Sequence, residues 1–341
     1  MPEMPPAVVQ FLTANWASQA LIAVVALGVP DALADGPLPL DSLAERTGAN
    51  PAALARLLRS LSGQNLFRTS VSGATADAVT TIALAPAGDA LRRDVPGSVR
   101  DLILLCAEDW HQRAWGHLTE AVRSGRPAIR QAVGTDLFSY FATAPAADRA
   151  FHRAMGALTA LVAGAVVQGY DFAGIRTLVD VGGGEGRLLL AILAAHPQMT
   201  GVICDRASAG PAAATAIAAA RAGARCKFTV GDFFTQIPSA NACLLKNVLH
   251  DWDDTHAAAI LATCRRALPA DGQLIIVEAI IPPGDQPGLG RLLDLEMLVL
   301  TDGGRERSAE EFTQLLARAG FAPLRIIATA SPMSVIVARP A

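Results

Sequence analysis

The segment TLVDVGGGEGRLLLAILAA, residues 177–195, decides the fold of this 341-residue chain. A short run of Leu and Val leads into a glycine cluster, and an apolar segment of helical length follows it. A strand, a glycine turn and a helix in this order are typical of the ligand-binding edge of a doubly wound α/β sheet. Position 187 is Arg, where the dinucleotide fingerprint G-x-G-x-x-G needs a third glycine. The loop is therefore poorly matched to a pyrophosphate, although its glycines still let a ligand approach the backbone closely.

Short β-rich segments alternate with helical segments from about residue 175 onward. Strands are predicted at residues 177–181, 200–205, 226–230, 242–247, 273–281, 321–329 and 333–339. Helices are predicted at residues 187–195, 211–222, 254–267, 290–300 and 308–319. This alternation predicts an α/β fold with a doubly wound sheet. Residues 330–332 are too few for a parallel crossover between the last two strands, so one of them must run antiparallel.

The chain before this sheet is predicted to be mostly helical. Residues 11–29 read as an apolar helix. Residues 40–67 read as two short helices joined by a turn, with Asp41 and Asn50 as their N-caps. A small β wing is expected up to about residue 84, and further helices fill the chain to about residue 170.

Composition bounds the class of protein. Apolar residues make up 52% of the chain, charged residues make up 17%, and the net charge is −3. The length suits two domains with sizeable cores, and the balance of charge argues against nucleic acid as the main partner. The helix-turn-helix, with Arg56 and Arg59 on its second helix, keeps a DNA-binding regulator open as an alternative.

Cysteine usage and the amino terminus indicate a soluble, cytoplasmic protein. The five cysteines form no C-x-x-C pair and lie in apolar stretches, which predicts buried thiols in a reducing compartment. No signal peptide is evident. The longest apolar run near the start, residues 20–29, is about half of the roughly 20 residues that span a bilayer. We therefore expect no membrane association.

Each of the first three predicted strands of the sheet has an acidic residue within it, at its end or just after it. Asp180 lies in the first strand, where it can hold the glycine loop or accept from a ligand ammonium. Asp205 ends the second strand, where a carboxylate can accept the ribose hydroxyls of NAD or of S-adenosylmethionine. Gly231, Asp232 and Phe233 follow the third, where the last two could border an adenine. Such sheets bind ligands at this edge, so the three positions predict a nucleoside site.

His250 follows the fourth predicted strand in the segment LLKNVLHDWDD, residues 244–254. Methyl transfer to a phenol needs a base near neutral pH, because a free phenol has a pKa of about 10. Glu278, at the end of the fifth strand, and Glu306 are each candidates to bond the second ring nitrogen of such a histidine. Trp252 is equally suited to core packing or to an adenine contact. A metal site is not expected, because no second histidine has ligand spacing.

These segments together resemble the caffeate and acetylserotonin type of small-molecule O-methyltransferase. The matching segments are LVDVGGGEG, GVICD, GDFF, LLKNVLHDWDD, IIVEAIIP and DGGRERSAEEF, whose order covers most of residues 178–312. The resemblance implies a Rossmann-like class I methyltransferase domain that uses S-adenosylmethionine. It also implies that His250 is the base and that Glu278 and Glu306 support it.

The resemblance assigns further residues to two ligands. Those expected to line the cofactor are Asp180, Gly182, Gly183, Gly184, Asp205, Arg206, Gly231, Asp232, Phe233, Lys246 and Trp252. Those expected to contact a flat aromatic acceptor are Trp110, Phe151, Met155, Asp294 and Met297. The family often has Asp-Leu-Pro after the second strand, whereas this chain has Asp-Arg-Ala at residues 205–207. The acid is kept, so the expectation of ribose binding stands.

The resemblance also implies the organisation of the chain and its acceptor. A winged-helix dimerisation domain is expected at residues 1–95, a helical region that contributes to the acceptor pocket at 96–170, and the catalytic domain at 171–341. The implied assembly is a homodimer. Residues 91–105 and 136–145 look closest to bacterial phenazine methyltransferases, which suggests a hydroxyphenazine or another fused-ring natural product. An enzyme of the same fold recruited to decarboxylation, hydroxylation or cyclisation stays open as an alternative.

Overall fold

The computed structural model describes residues 5–72 and 79–341, and the chain divides into two compact units, Met1–Glu108 and Asp109–Ala341. The helices of the first unit are α1 (Pro6–Ala26), α2 (Val29–Ala32), α3 (Leu40–Thr47), α4 (Pro51–Ser60) and α5 (Arg100–Ala107). Its strands are β1 (Leu38–Pro39), β2 (Phe67–Ser72) and β3 (Val79–Leu84), which pair antiparallel in the order β1-β3-β2. The predicted β wing is confirmed, apart from residues 73–78, which lie outside the described residues.

Helix ends in the first unit differ from the prediction in two places. Asn50 caps α4 as expected, since its side chain accepts from the backbone N–H of Ala53 at 3.0 Å. Asp41 is not an N-cap: Pro39 occupies that position of α3, and Asp41 lies in the first turn. The predicted helix over 11–29 begins earlier, at Pro6, and stops at Ala26, because Gly28 takes a φ of +73° and starts α2.

The core of the first unit joins its helices to its small sheet. Val24, Leu43, Leu54 and Ile82 are among its buried members, drawn from α1, α3, α4 and β3. Cys106 is exposed, so the prediction that every cysteine is buried was wrong at this position. The reason is helical geometry, because on α5 the side chain of Cys106 is turned about 100° away from that of its buried neighbour Leu105.

The second unit contains ten helices and seven strands among its residues, all of which the structure describes. The helices are α6 (Asp109–Gly116), α7 (Leu118–Ser124), α8 (Ile129–Val133), α9 (Leu137–Thr143), α10 (Pro145–Gly169), α11 (Arg187–Ala195), α12 (Gly210–Ala219), α13 (Asp254–Ala267), α14 (Leu289–Leu300) and α15 (Ala309–Arg318). The strands are β4 (Thr177–Val181), β5 (Thr200–Asp205), β6 (Cys226–Val230), β7 (Ala242–Lys246), β8 (Gln273–Ala279), β9 (Phe321–Ala328) and β10 (Met333–Pro340).

The seven strands form one sheet in the order β6-β5-β4-β7-β8-β10-β9. Strands β4 to β8 run parallel, and β10 runs antiparallel to both of its neighbours. The doubly wound fold is thereby confirmed, and so is the prediction that one of the last two strands runs antiparallel; that strand is β10. Because β4 to β8 run parallel, their carboxyl ends lie at one edge of the sheet. The winding reverses between β4 and β7, and such folds bind ligands at that point of the edge.

Helices cover both faces of the sheet. One face packs Val166 of α10 and Leu188 of α11 against strand residues, and the other packs Ile260 of α13 and Phe312 of α15. The central strands β4, β7 and β8 are nearly continuous buried runs, as expected for a parallel sheet that is covered on both sides.

Two helices, α1 and α10, are long and apolar enough by length and composition to cross a membrane, with mean hydropathies of 1.4 and 1.5. This differs from the sequence analysis, which counted only unbroken apolar runs. Uncharged polar residues interrupt the apolar run of α1, so no unbroken apolar stretch is long enough to span a bilayer although the helix carries no charged residue. Helix α10 buries Val162 and Val166 in the core of the second unit.

Candidate active site

The glycine loop after β4 takes backbone conformations that favour glycine. Gly182, Gly184 and Gly186 have φ values of +68°, +56° and +75°. A Cβ atom at Gly186 would lie 2.1 Å from Ile203, whereas one at Gly184 would meet nothing within 4 Å. Gly186 is therefore required by packing, while Gly184 turns toward open space at the ligand-binding edge of the sheet.

Asp205 at the end of β5 holds this loop. Its Oδ2 accepts from the backbone N–H of Gly184 at 2.7 Å, and its Oδ1 accepts from that of Arg206 at 2.6 Å. Next to it, a Cβ atom at Gly231 would lie 2.4 Å from the sulfur of Cys204, so the chain can pass there only as glycine. The carboxylate expected to bind ribose thus also sets the position of the backbone amides beside it.

One buried ionisable group, Asp180, and one partly buried group, Lys246, lie behind the loop. Burial, with a smaller contribution from Asp205, raises the pKa of Asp180 to about 7, while Lys246 opposes this shift. Burial lowers the pKa of Lys246 to about 8, against the opposing carboxylates of Asp180, Glu278 and Asp251. The edge of the sheet therefore gathers more carboxylates than cations.

These residues fit S-adenosylmethionine, whose sulfonium and ammonium groups are positive and whose carboxylate is negative. Two buried acceptor atoms near the edge, Oδ1 of Asn247 and Oε2 of Glu278, have no hydrogen-bond partner within residues 5–72 and 79–341. A site with surplus acceptors and one lysine suits such a ligand.

An aromatic cluster borders the same edge. Trp252 packs edge-to-face on Phe233 and Phe234, with ring centroids 6.1 and 4.7 Å apart. Phe138 of α9 stacks on Trp252 at 6.0 Å with 17° between the ring planes, and the Arg206 guanidinium lies 5.3 Å from the centroid of Phe138. Trp252 therefore takes part in packing, which is one of the two roles expected for it, and its contact with an adenine stays a prediction.

Phe138 is not among the residues predicted from the sequence for this cluster. Its segment DLFSYF was noted only for its likeness to phenazine methyltransferases. The alternation of Phe and Tyr on a short helix was the one available signal, and it does not say which ring faces the ligand edge.

His250 lies in a turn, Leu249–Asp251, directly after β7. Its Nδ1 is 2.8 Å from Oε1 of Glu306, and both side chains are buried. Its Nε2 is 3.6 Å from Oδ1 of Asp251. The contact with Glu306 places the imidazole so that Nε2 is the nitrogen left for an incoming hydroxyl.

Glu278 does not contact the imidazole ring, so of the two carboxylates expected there only Glu306 does. Instead, Oε1 of Glu278 accepts from three successive backbone amides, those of Val248, Leu249 and His250, at 3.2, 2.8 and 3.3 Å. Its side chain is fully buried rather than at the surface. Glu278 therefore fixes the turn that carries the histidine.

The charges around His250 favour its protonated form. Burial alone lowers the pKa of His250, but Asp251, then Glu306 and Glu278, outweigh it and raise this pKa to about 9. Burial raises the pKa of Asp251 to about 6 and that of Glu278 to about 7, although His250 opposes both shifts. The site thus stabilises an imidazolium, which is the product of removing a proton from an acceptor.

Arg307 is a buried residue of this site that the sequence analysis missed. Its guanidinium donates to the carbonyls of Leu249 and Trp252, both at 2.9 Å, and to Oδ1 of Asp254 at 3.0 Å. These bonds clamp the turn on both sides of His250. Arginine next to Glu306 in the sequence was visible, but a buried clamp cannot be told from a surface charge by residue type alone.

The residues expected to contact the acceptor lie on α6, α10 and α14. Trp110 and Met297 are buried, whereas Phe151 and Met155 on α10 are partly buried. Asp294 accepts from the backbone N–H of Glu306 at 3.0 Å, which ties α14 to the loop carrying that carboxylate. Within the described residues, no three His, Cys, Asp or Glu side chains form a cluster that could hold a metal ion.

Comparison with known proteins decides the family. The O-methyltransferase domain model matches residues 115–322, and the O-methyltransferase dimerisation domain model matches residues 9–91. The chain belongs to the O-methyltransferase family. The dimerisation match accounts for the helix-turn-helix, which was also open to interpretation as a DNA-binding element.

Individual relatives of the chain span almost its whole length. It is 40% identical to the phenazine O-methyltransferase PhzM of Lysobacter antibioticus, over 97% of this chain and 95% of that protein. It is 33% identical to a phenazine-1-carboxylate N-methyltransferase of Pseudomonas aeruginosa, over 97% and 96%. The human N-acetylserotonin methyltransferase in complex with S-adenosylmethionine superposes with a TM-score of 0.91 at 25% identity, covering 100% and 99% of the two chains. The chain is an S-adenosylmethionine-dependent methyltransferase.

Proposed function

We propose that this O-methyltransferase transfers a methyl group to a phenolic hydroxyl of a small, flat aromatic natural product, and that the acceptor is a hydroxyphenazine. The observation that carries the reaction type is the pairing of His250 with the buried carboxylate of Glu306 at 2.8 Å. This pairing orients one imidazole nitrogen and stabilises the charge that the imidazole gains as a base.

In the proposed reaction, His250 removes the hydroxyl proton through Nε2. S-adenosylmethionine supplies the electrophilic methyl, which the phenolate oxygen takes in a direct displacement. The turn bonded by Glu278 and clamped by Arg307 keeps the imidazole in place. Such positioning of two reactants contributes about 7–11 kcal/mol to catalysis.

The same geometry favours oxygen over nitrogen as the methylated atom. One similar protein is an O-methyltransferase and another an N-methyltransferase. An aromatic ring nitrogen carries a lone pair and needs no base before it attacks, whereas a phenol does. A histidine held by Glu306 and kept basic by Asp251 serves the methylation of a phenol.

The remaining site assignments are part of this proposal. The cofactor lies against the glycine loop, Asp205, Asp232 and the rings of Phe233 and Trp252. The acceptor lies among the side chains on α6, α10 and α14, with Met155 and Met297 against its flat faces, because thioethers make favourable contacts with aromatic rings. The hydroxyphenazine follows from the relative that shares 40% identity.

We further propose a cytoplasmic homodimer joined through residues 1–95, the expected dimerisation domain. Helix α1 exposes Val8, Phe11, Leu12 and Trp16, a large apolar surface for a soluble chain. A second copy that packs on this helix would remove that surface from water. Light scattering of the purified protein should report twice the monomer mass of 35.4 kDa, and a monomer at micromolar concentration would refute the dimer.

The deciding experiment uses isotopically labelled S-adenosylmethionine with a panel of hydroxylated and nitrogen-bearing aromatic acceptors, read by mass spectrometry. We expect labelled methyl ethers, above all from hydroxyphenazines, and one S-adenosylhomocysteine for each methyl transferred. Labelled N-methyl products would contradict the assignment to oxygen. Conversion of the acceptor without S-adenosylhomocysteine would instead support a recruited, non-methylating enzyme.

A further inference from the structure

The loop that follows α14, residues 301–306, lies against His250. The backbone N–H of Arg305 donates to the carbonyl of His250 at 2.7 Å. A Cβ atom at Gly304 would lie 2.5 Å from the same carbonyl oxygen, so the loop can pass there only as glycine. Glu306, the last residue of the loop, is 2.8 Å from Nδ1 of His250. The 301–306 loop therefore supports both the backbone and the ring of His250.

A bidentate ion pair ties the outer side of this loop to α8. Nε and Nη2 of Arg130, on α8, donate to Oδ1 and Oδ2 of Asp302, each at 2.7 Å. Two parallel bonds of this kind fix the orientation of both groups as well as their distance. The two side chains are 49% and 43% exposed. The pair is therefore ordered by its geometry while solvent and salt still reach it.

Helix α8 gives Asp302 a fixed partner. Ile129 and Ala132 of α8 are buried, and the helix packs on α6, which carries Trp110. On the side of the loop, residues 302–304 read Asp-Gly-Gly, so Asp302 supplies the only side chain of this stretch. The ion pair therefore connects these two helices to this part of the loop.

We infer that Arg130 is a positioning residue for the methyl transfer: through Asp302 it holds the 301–306 loop, and with it Glu306, where that carboxylate keeps His250 basic and aimed at the acceptor. This inference rests on the proposed function, because it concerns the base of the same reaction. Arg130 acts through the loop and not on the reacting atoms.

The test measures kcat for wild type and Arg130→Gln on two phenolic acceptors, one weakly acidic and one already ionised at the assay pH. Only the first needs a base, so a displaced Glu306 should slow that reaction selectively. We expect kcat on the weakly acidic phenol to fall by up to about 5-fold, the size that an ion pair partly screened by solvent supports. The rate on the ionised phenol and the KM for S-adenosylmethionine should change little. Arg130→Lys, which keeps the charge, should recover part of the loss.

Two further measurements tie the loss to the ion pair itself. Asp302→Asn should cause the same loss as Arg130→Gln, and the double variant should lose no more than either single variant, because all three lack the same interaction. Added sodium chloride should lower the wild-type rate on the weakly acidic phenol toward that of Arg130→Gln, since salt screens exposed charges. The rate of Arg130→Gln itself should respond little to the salt.

Arg113→Gln is the matched control, because it breaks an exposed arginine–carboxylate pair within α6, with Asp109 at 2.9 Å, that does not reach the loop. It should keep the wild-type ratio of the two rates. A wild-type ratio in Arg130→Gln, an equal loss on both phenols, or additive losses in the double variant would overturn the inference. Each of these results leaves the proposed function intact, whereas an unchanged ratio in His250→Ala would contradict the proposed base itself.

Discussion

The hydrogen bond between Glu306 and His250 offers the sharpest test of the proposed chemistry. Replacing Glu306 by Gln removes one negative charge and keeps an oxygen that can accept from Nδ1 at nearly the same distance, 2.8 Å in the wild type. The position is only 1% exposed, so solvent screens the interaction little and the loss of the charge acts on His250 almost in full. The variant should therefore keep its fold and cofactor affinity while the basicity of His250 falls.

The size of the effect follows from the pKa of His250. Its rise from 6.5 to about 9 corresponds to about 3 kcal/mol in favour of the imidazolium, at about 1.4 kcal/mol per pKa unit. Asp251, Glu306 and Glu278 share this stabilisation against the opposing effect of burial. Losing one of the three carboxylates should lower the pKa of His250 by about one unit, and the weaker base should reduce the turnover reached on the high-pH plateau by up to about 10-fold.

The assay is a pH–rate profile under saturating S-adenosylmethionine with a weakly acidic phenol. A base acts in its neutral form, so the wild-type rate should rise with pH and level off above about pH 9. For Glu306→Gln the rise should occur at lower pH and reach a lower plateau. Glu310→Gln, at an exposed position on α15, serves as the control and should match wild type. Superimposable profiles for Glu306→Gln and wild type would show that the pair does not set the reactivity of His250.

Four further outcomes are expected. His250→Ala should lose roughly 10²–10⁴-fold in turnover near neutral pH. Its activity should recover partly at high pH and more fully with an acidic phenol than with a weakly acidic one. Equal losses on these two phenols would count against His250 as the base. Asp205→Ala should weaken S-adenosylmethionine binding by about 1.5–3 kcal/mol in calorimetry, and unchanged affinity would remove it from the site. Gly186→Ala, with no room beside Ile203, should lower the melting temperature far more than Gly125→Ala, which has a similar φ and open space; similar losses would refute the packing argument. The stability contributed by protonation of His250 should be complete below pH 6.5 and lost as the pH rises through about 9. The free energies of unfolding of wild type and His250→Ala, measured by denaturant titration, should therefore converge at high pH.

The order of strands and helices in the second unit could be predicted from the sequence alone. The bounds of β4, β5, β6, α11 and α13 agree with the prediction to the residue. Local patterns suffice there, because β-branched runs, glycine turns and capping residues act over a few positions. Loop length predicted that one of the last two strands runs antiparallel, since a connection of three residues cannot cross a sheet, and the structure shows that it is β10.

What the tertiary structure alone decided are contacts between groups far apart in the chain. The sequence offered Glu278 and Glu306 equally as partners of His250, and only the fold gives the ring to Glu306 and the backbone of the turn to Glu278. Arg307 and Phe138 could not be singled out, because a charge or a ring has the same local signature whether it is buried at a site or exposed. The sequence by itself determined which chemistry gathers at the edge of the sheet. The geometry of that edge depends on how separate elements pack, and residue types along the chain do not encode those distances locally.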